Sequence, residues 1–236
     1  MILYRTLTAI GYRSAMRTVF RMEIAGAERI PAAGPCILVA NHESVVDPYV
    51  LGVATSRRIH FMAKVELWRN PLLRRVVEGF GAFPVERGTG DSAAVGRAAQ
   101  LLAEGEVLGI FPQGTCFPLR VRPWLRGAAR LALVSGAPLV PVCLVGTEQL
   151  LRPRRFKVGL PRLRILVGRP IPVEPAPPTV VAARELTRKV EEAVAELRRP
   201  YGEPQHAWAD EDAPRRLPLT GVASPPERLR SSVHEP

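Results

Sequence analysis

Six short apolar runs, at residues 36–39, 59–63, 81–86, 107–111, 139–145 and 163–168, punctuate the chain, and most successive pairs leave room for one helix. Each run has strand length, and buried helices are longer. Helical patterns fall between them at 45–56, at 65–78 with a break near Asn70-Pro71, from Asp91 or Ser92 to Ala103, at 125–135, and finally at 179–198. Strands alternating with helices restrict the chain to an α/β domain whose central sheet is mixed or largely parallel and is flanked by helices. Pro84 puts the third run at a sheet edge or a strand end, because proline donates no ladder hydrogen bond. Val95, Ala98 and Leu102 mark the expected buried side of the third helix, with Gly105 ending it; Leu186, Val190, Val194 and Leu197 line one face of the last.

The chain of 236 residues is long enough for one well-packed domain with additional terminal segments, and its 47% hydrophobic content supports a sizeable core. Residues 1–22 are expected to form a basic amphipathic helix: Leu3, Leu7, Ile10, Met16, Val19 and Phe20 recur at helical spacing, with Arg13, Arg17 and Arg21 on another stripe. Such a helix suits the surface of an anionic bilayer, and equally suits packing on the domain that comes after it. Residues 23–199 are expected to be the folded domain. Residues 200–236 carry seven prolines without periodicity and read as a disordered tail.

Charge narrows the partners. Thirty-three basic residues against 22 acidic ones give +11, and residues 116–169 contribute eleven Lys or Arg against one acid, Glu148. A surface biased this way faces an anion: a membrane, a phosphorylated substrate or nucleic acid. Aromatic residues make up only 6% and do not interleave with the basic ones, which disfavours nucleic acid. Cys36, Cys116 and Cys143 are an odd count without close spacing, and Cys36 and Cys143 read as small buried hydrophobes. No run reaches the roughly 18 apolar residues of a membrane span. No metal-ligand spacing of His, Cys and Asp is present, so no metal is expected.

Three turns close strand-like runs: 41–47, 87–90 and 112–115. Ligands of open α/β sheets bind at the carboxyl ends of strands, so these turns are expected to converge. His42 offers a base, and Asp47, five positions on, can fix its tautomer. Asp47-Pro48 is equally a helix opening, with Asp as N-cap and Pro at the first helical position. Arg87 offers a fixed positive charge, and Gly114-Thr115 a close backbone approach with a hydroxyl.

Taken together, Asn41-His42-x4-Asp47, the block from Gly81 to Arg87, Phe111-Pro112-Gln113-Gly114-Thr115-Cys116 and Val140-Pro141-Val142 resemble, in order and interval, the glycerolipid acyltransferases typified by 1-acylglycerol-3-phosphate acyltransferase. The resemblance implies a fatty-acyl transfer in phospholipid biosynthesis, from acyl-CoA or acyl-carrier protein to the hydroxyl of a lysophospholipid-type acceptor. It implies His42 as general base oriented by Asp47, with Arg87 binding an acceptor phosphate. Asn41, Ser44, Gln113, Gly114 and Thr115 would complete the acceptor site. The family's third block has Glu where this chain has Gln113, and Arg where it has Cys116; either Arg120 or Arg122 would replace the lost cation, or the acceptor is not a phosphorylated glycerol, or activity is reduced.

Two other readings remain: a catalytically weakened member that binds lipid or acyl-carrier protein, and a thioester or ester hydrolase, which lacks a Gly-x-Ser-x-Gly elbow here. The expected location is peripheral, on the cytoplasmic side of a membrane.

Overall fold

The computed structural model describes residues 11–86, 91–114, 116, 123–150 and 160–202. Their centre is a seven-stranded sheet: β1 (Glu23–Ala25), β2 (Cys36–Ala40), β3 (Ile59–Lys64), β4 (Ala82–Val85), β5 (Val107–Ile110), β6 (Leu139–Val145) and β7 (Arg164–Val167), in the order β1-β7-β6-β2-β5-β3-β4. Strands β6, β2, β5, β3 and β4 run parallel; β7 pairs antiparallel with β6, and β1 parallel with β7. The expected α/β class with a mixed sheet is the class observed.

Burial follows from position. The middle strands β2 and β6 are buried along their whole length, as strands covered on both faces must be, and so their sequences are unbroken apolar runs. Along β2, Leu38 and Ala40 face one core cluster while Ile37 and Val39 face the other. Strand β7 alternates, as its sequence does. Strand β4, with Pro84, is one of the two edges.

The helices are α1 (Gly11–Val19), α2 (Asp47–Leu51), α3 (Pro71–Gly79), α4 (Ser92–Ala103), α5 (Gly127–Ser135) and α6 (Val180–Arg198). Three of them depart from expectation. The helix expected over 45–56 is only α2: the Tyr49 carbonyl that the next turn would use accepts from Tyr12 Oη at 2.8 Å, the Val53 and Ala54 amides fall back on the Val50 and Leu51 carbonyls, and Thr55 Oγ1 takes the Arg57 amide. Helix α4 buries Ala94, Ala98, Leu101 and Leu102, while Val95 is exposed; small alanines had left the phase of its stripe open by one residue. Helix α5 starts at Gly127 rather than 125, and the Leu125 amide donates back to the Pro112 carbonyl at 2.9 Å. The long α6 is capped by Thr179 and buries Ala183, Thr187, Val190 and Val194, with Leu186 half-buried beside them.

Helix α1 has no buried residue, yet it leans on the domain. Tyr12 Oη donates to the Tyr49 carbonyl at 2.8 Å, and its ring meets Phe80 edge-on. Residues 1–10 of the expected N-terminal helix lie outside the described residues. No helix among those described is long and apolar enough to cross a membrane. Of the proline-rich tail, only Pro200, Tyr201 and Gly202 are described; the Arg164 guanidinium stands 5.0 Å from the Tyr201 ring centre.

Candidate active site

Strand β2 delivers the chain to the carboxyl end of the sheet at Ala40, and the next residue sets the geometry of the turn. Asn41 uses its side chain as one more rung of the ladder: Oδ1 accepts from the Leu144 amide at 2.7 Å, and Nδ2 donates to the Leu144 carbonyl at 2.9 Å. This locks the first residue past β2 to β6, so the backbone enters the turn at a fixed angle.

The turn is organised around Asp47. Its Oδ2 accepts from the amides of Glu43 at 2.6 Å and Ser44 at 2.7 Å, and stands 2.9 Å from His42 Nδ1. The alternative role of Asp47 as helix N-cap is not what the structure shows: Val46 holds that position, and the carboxylate points back into the turn. Pro48 nonetheless opens α2, as expected. A carboxylate only accepts hydrogen bonds, so Nδ1 carries the proton shared with Asp47 and Nε2 is left as the basic nitrogen. Asp47 is fully buried, whereas the His42 side chain is 12% exposed.

A second loop meets the first here. The His42 backbone amide donates to Gln113 Oε1, and the Phe111 ring stacks on the imidazole with centres 4.4 Å apart and planes inclined by 25°. Phe61 of β3 stacks behind Phe111 at 6.0 Å. The loop itself closes as a turn, the Gly114 amide donating to the Phe111 carbonyl at 3.1 Å. Gly114 has φ +73°, a conformation L side chains rarely adopt, and an added Cβ would stand 3.1 Å from Leu125 Cδ1.

Of the residues singled out in the sequence, His42, Asp47, Asn41, Ser44, Gln113 and Gly114 are thus brought together at the carboxyl end of the sheet. The polar atoms of Asn41 and Ser44 are committed inside the protein, Ser44 Oγ donating to the Leu150 carbonyl at 3.3 Å. Arg87, Thr115, Arg120 and Arg122 lie outside the described residues.

A buried support beneath the turn was not foreseen in the sequence. Arg198, at the end of α6, donates from Nη1 to the same Leu144 carbonyl that Asn41 uses, at 2.9 Å, and its Nη2 lies 3.5 Å from Glu148 Oε1. Glu148 Oε2 in turn accepts the Gly146 amide at 2.9 Å. The available signal was Glu148 itself, the lone acid in a basic stretch. Arg198 at a helix end gave none, since a cation there usually meets the helix dipole in solvent. Cys36 and Cys143 are fully buried, and burial pushes each thiol up to about 11, so both act as hydrophobes.

Comparison with known proteins agrees with this geometry. The family model described as Acyltransferase matches residues 21–145. The 1-acyl-sn-glycerol-3-phosphate acyltransferase of Bacillus subtilis is 33% identical over 151 residues, which cover 64% of this chain and 73% of that protein. Human 1-acyl-sn-glycerol-3-phosphate acyltransferase alpha is 29% identical over 169 residues, 69% of this chain and 59% of that one. In fold, the chain is similar to the crystal structure of the 1-acyl-sn-glycerophosphate (LPA) acyltransferase from Thermotoga maritima, with a TM-score of 0.67 at 23% identity over 85% of this chain and 80% of that one. Given its strand-end histidine, its sheet order and these likenesses, the chain belongs to the 1-acylglycerol-3-phosphate acyltransferase family and is an acyltransferase.

Proposed function

We propose that this protein moves a fatty acyl group from an acyl thioester, acyl-CoA or acyl-carrier protein, to the free hydroxyl of a 1-acylglycerol-3-phosphate-like lysophospholipid. The observation that carries the reading is the 2.9 Å contact of His42 Nδ1 with a fully buried Asp47, which leaves Nε2 as the base. Nε2 takes the acceptor's hydroxyl proton as its oxygen attacks the thioester carbonyl. The tetrahedral intermediate then expels the thiolate by breaking the carbon–sulfur bond, and the imidazolium returns the proton to sulfur. Acyl transfer is direct, with no acyl-enzyme, and requires neither metal nor cofactor.

Gln113 supports activity rather than loss of it, because its amide oxygen makes the tie to the His42 amide that a carboxylate would make. In this reading Asn41 and Ser44 hold the turn, Gly114 shapes the acceptor side of the site, and Thr115 completes that corner. Arg87, with Arg120 or Arg122, binds the acceptor phosphate.

The enzyme works peripherally at the cytoplasmic face of an anionic membrane. Helix α1 contributes to this attachment: Tyr12 and Arg13 face the domain while Arg17 and Val19 remain exposed. A panel of acceptors with and without a phosphate, offered with one long-chain acyl-CoA, tests the substrate class. Transfer to the phosphorylated lysolipid is expected, and Arg87→Ala raises KM for that acceptor by about tenfold or more, the loss of one charge-assisted contact. Equal use of unphosphorylated acceptors, or fatty acid released at the same rate without any acceptor, contradicts it.

A further inference from the structure

Arginine is seldom buried unless its charge is paired and its donors are used. Arg198, the last residue of α6, is 9% exposed and commits all three guanidinium nitrogens. Nε donates to the Gly202 carbonyl at 2.9 Å, Nη1 to the Leu144 carbonyl at 2.9 Å, and Nη2 stands 3.5 Å from Glu148 Oε1. The guanidinium is a rigid planar fork, so partners on three segments leave it one pose. A buried ion pair is weak evidence of stability, because apolar side chains of similar volume often serve as well. What distinguishes this one is where its two inward arms lead.

The first arm ends at the Leu144 carbonyl. That oxygen has two lone pairs and accepts from Arg198 and from Asn41 Nδ2 alike. Asn41 immediately precedes His42, so the peptide that anchors the catalytic turn is held from its other side by α6. The bond from Arg198 is charge-assisted, and of the two it is the stronger. The second arm ends at Glu148, whose Oε2 accepts the Gly146 amide at 2.9 Å. The Leu150 amide closes this turn on the Thr147 carbonyl at 2.9 Å, and the Leu150 carbonyl accepts from Ser44 Oγ at 3.3 Å. The arms therefore reach the catalytic turn on both sides of the imidazole, at Asn41 and at Ser44. Neither Glu148 nor Arg198 belongs to the four sequence blocks, the last of which ends at Val142.

We propose that Arg198 is a positioning residue for acyl transfer: through the Leu144 carbonyl and Glu148 it fixes both ends of the turn that aims His42. The inference rests on His42 acting as the base, as proposed above. Helix α6 is then part of the catalytic apparatus as well as a cover for the sheet. Misplacing a base by a fraction of its reach slows proton transfer while substrate binding is kept.

The test has two readouts on the full chain. The first needs no turnover: hydrogen exchange, followed by NMR, of the Glu43 and Ser44 amides that Asp47 holds. Arg198→Lys keeps a cation for Glu148 but not the fork that reaches three partners. Exchange at these two amides is expected to quicken about tenfold relative to the amides of β5, as a local opening. Val190→Ala, which trims a buried core side chain earlier on α6, leaves that ratio unchanged. The second readout is transfer from acyl-CoA to a lysophosphatidate at equal folded fraction, where Arg198→Lys lowers kcat about ten- to a hundredfold and leaves KM near native. Glu148→Gln retains an acceptor for the Gly146 amide and moves both readouts in the same direction, and it decides the matter by the same criteria should Arg198→Lys not fold. Unchanged exchange at Glu43 and Ser44, an equal change in Val190→Ala, or a raised KM with native kcat overturns the proposal. Faster exchange in Arg198→Lys, in a chain whose native form transfers no acyl group, refutes the proposed reaction and leaves the hold on the turn standing.

Discussion

At the scale of single residues the site depends on what Asp47 holds. Its Oδ2 gathers His42 Nδ1 and two backbone amides, while Oδ1 is buried without a hydrogen-bond partner among the described residues. Asp47→Ala therefore removes both the orienter of the base and the acceptor for two amides. The expected result is a rate loss of about 10²–10⁴-fold and a destabilisation of about 1–3 kcal/mol for each amide left unsatisfied, read by steady-state rates and by chemical denaturation. Gln113→Leu cuts the tie between the two loops and lowers activity, whereas Gln113→Glu retains the acceptor and stays close to wild type; rate measurements at matched folded fraction separate the two. The spacing His42-x4-Asp47 is a weak signal by itself, and only its place in a series of four blocks singled the pair out in the sequence. Which way Asp47 faced was not legible: N-cap and imidazole orienter place the same residue at the same position, and only backbone direction decides between them.

At the scale of elements, catalytic geometry is passed through packed rings and strand ends. An added Cβ at Gly109 of β5 would collide with Phe61 Cε1, and Phe61 stacks on Phe111, which stacks on His42. Gly109→Ala is expected to cost about 1–3 kcal/mol as overpacking and to reduce the catalytic rate more than the apparent affinity for substrate. Thermal melts and a split of kcat from KM check this. Arg198→Met keeps the apolar stem but leaves Glu148 buried without its cation, so destabilisation of about 3–5 kcal/mol is expected by urea unfolding.

Strands β2, β5 and β6 were readable because burial on both faces leaves no alternative to an apolar run. Strand β1 was missed: it is three residues long, has two exposed, and owes its existence to pairing with β7 rather than to any pattern of its own. Helix α2 is shorter than its apolar sequence suggests for a similar reason, since the Tyr49 carbonyl that its next turn would use is taken by Tyr12, thirty-seven residues away.

At the scale of the whole molecule, stability depends on charge. Burial, helped by the Arg58 guanidinium, holds the His60 imidazole below its ordinary value of 6.5, while Glu106 at 3.6 Å opposes the shift. The unfolded chain thus binds this proton more readily than the folded one, so stability rises with pH through the range just under 6.5 and levels off above it. His60→Gln is expected to flatten that slope in denaturation series across pH. The basic excess of residues 116–169 was plain in the sequence.

The central claim is that one imidazole draws the acceptor's proton. Transfer of a labelled long-chain acyl group from acyl-CoA to a lysophosphatidate, compared between the native chain and His42→Ala at equal folded fraction, reads it directly. The account predicts loss of about 10²–10⁴-fold in rate with the fold intact. Transfer by His42→Ala at the native rate would contradict it.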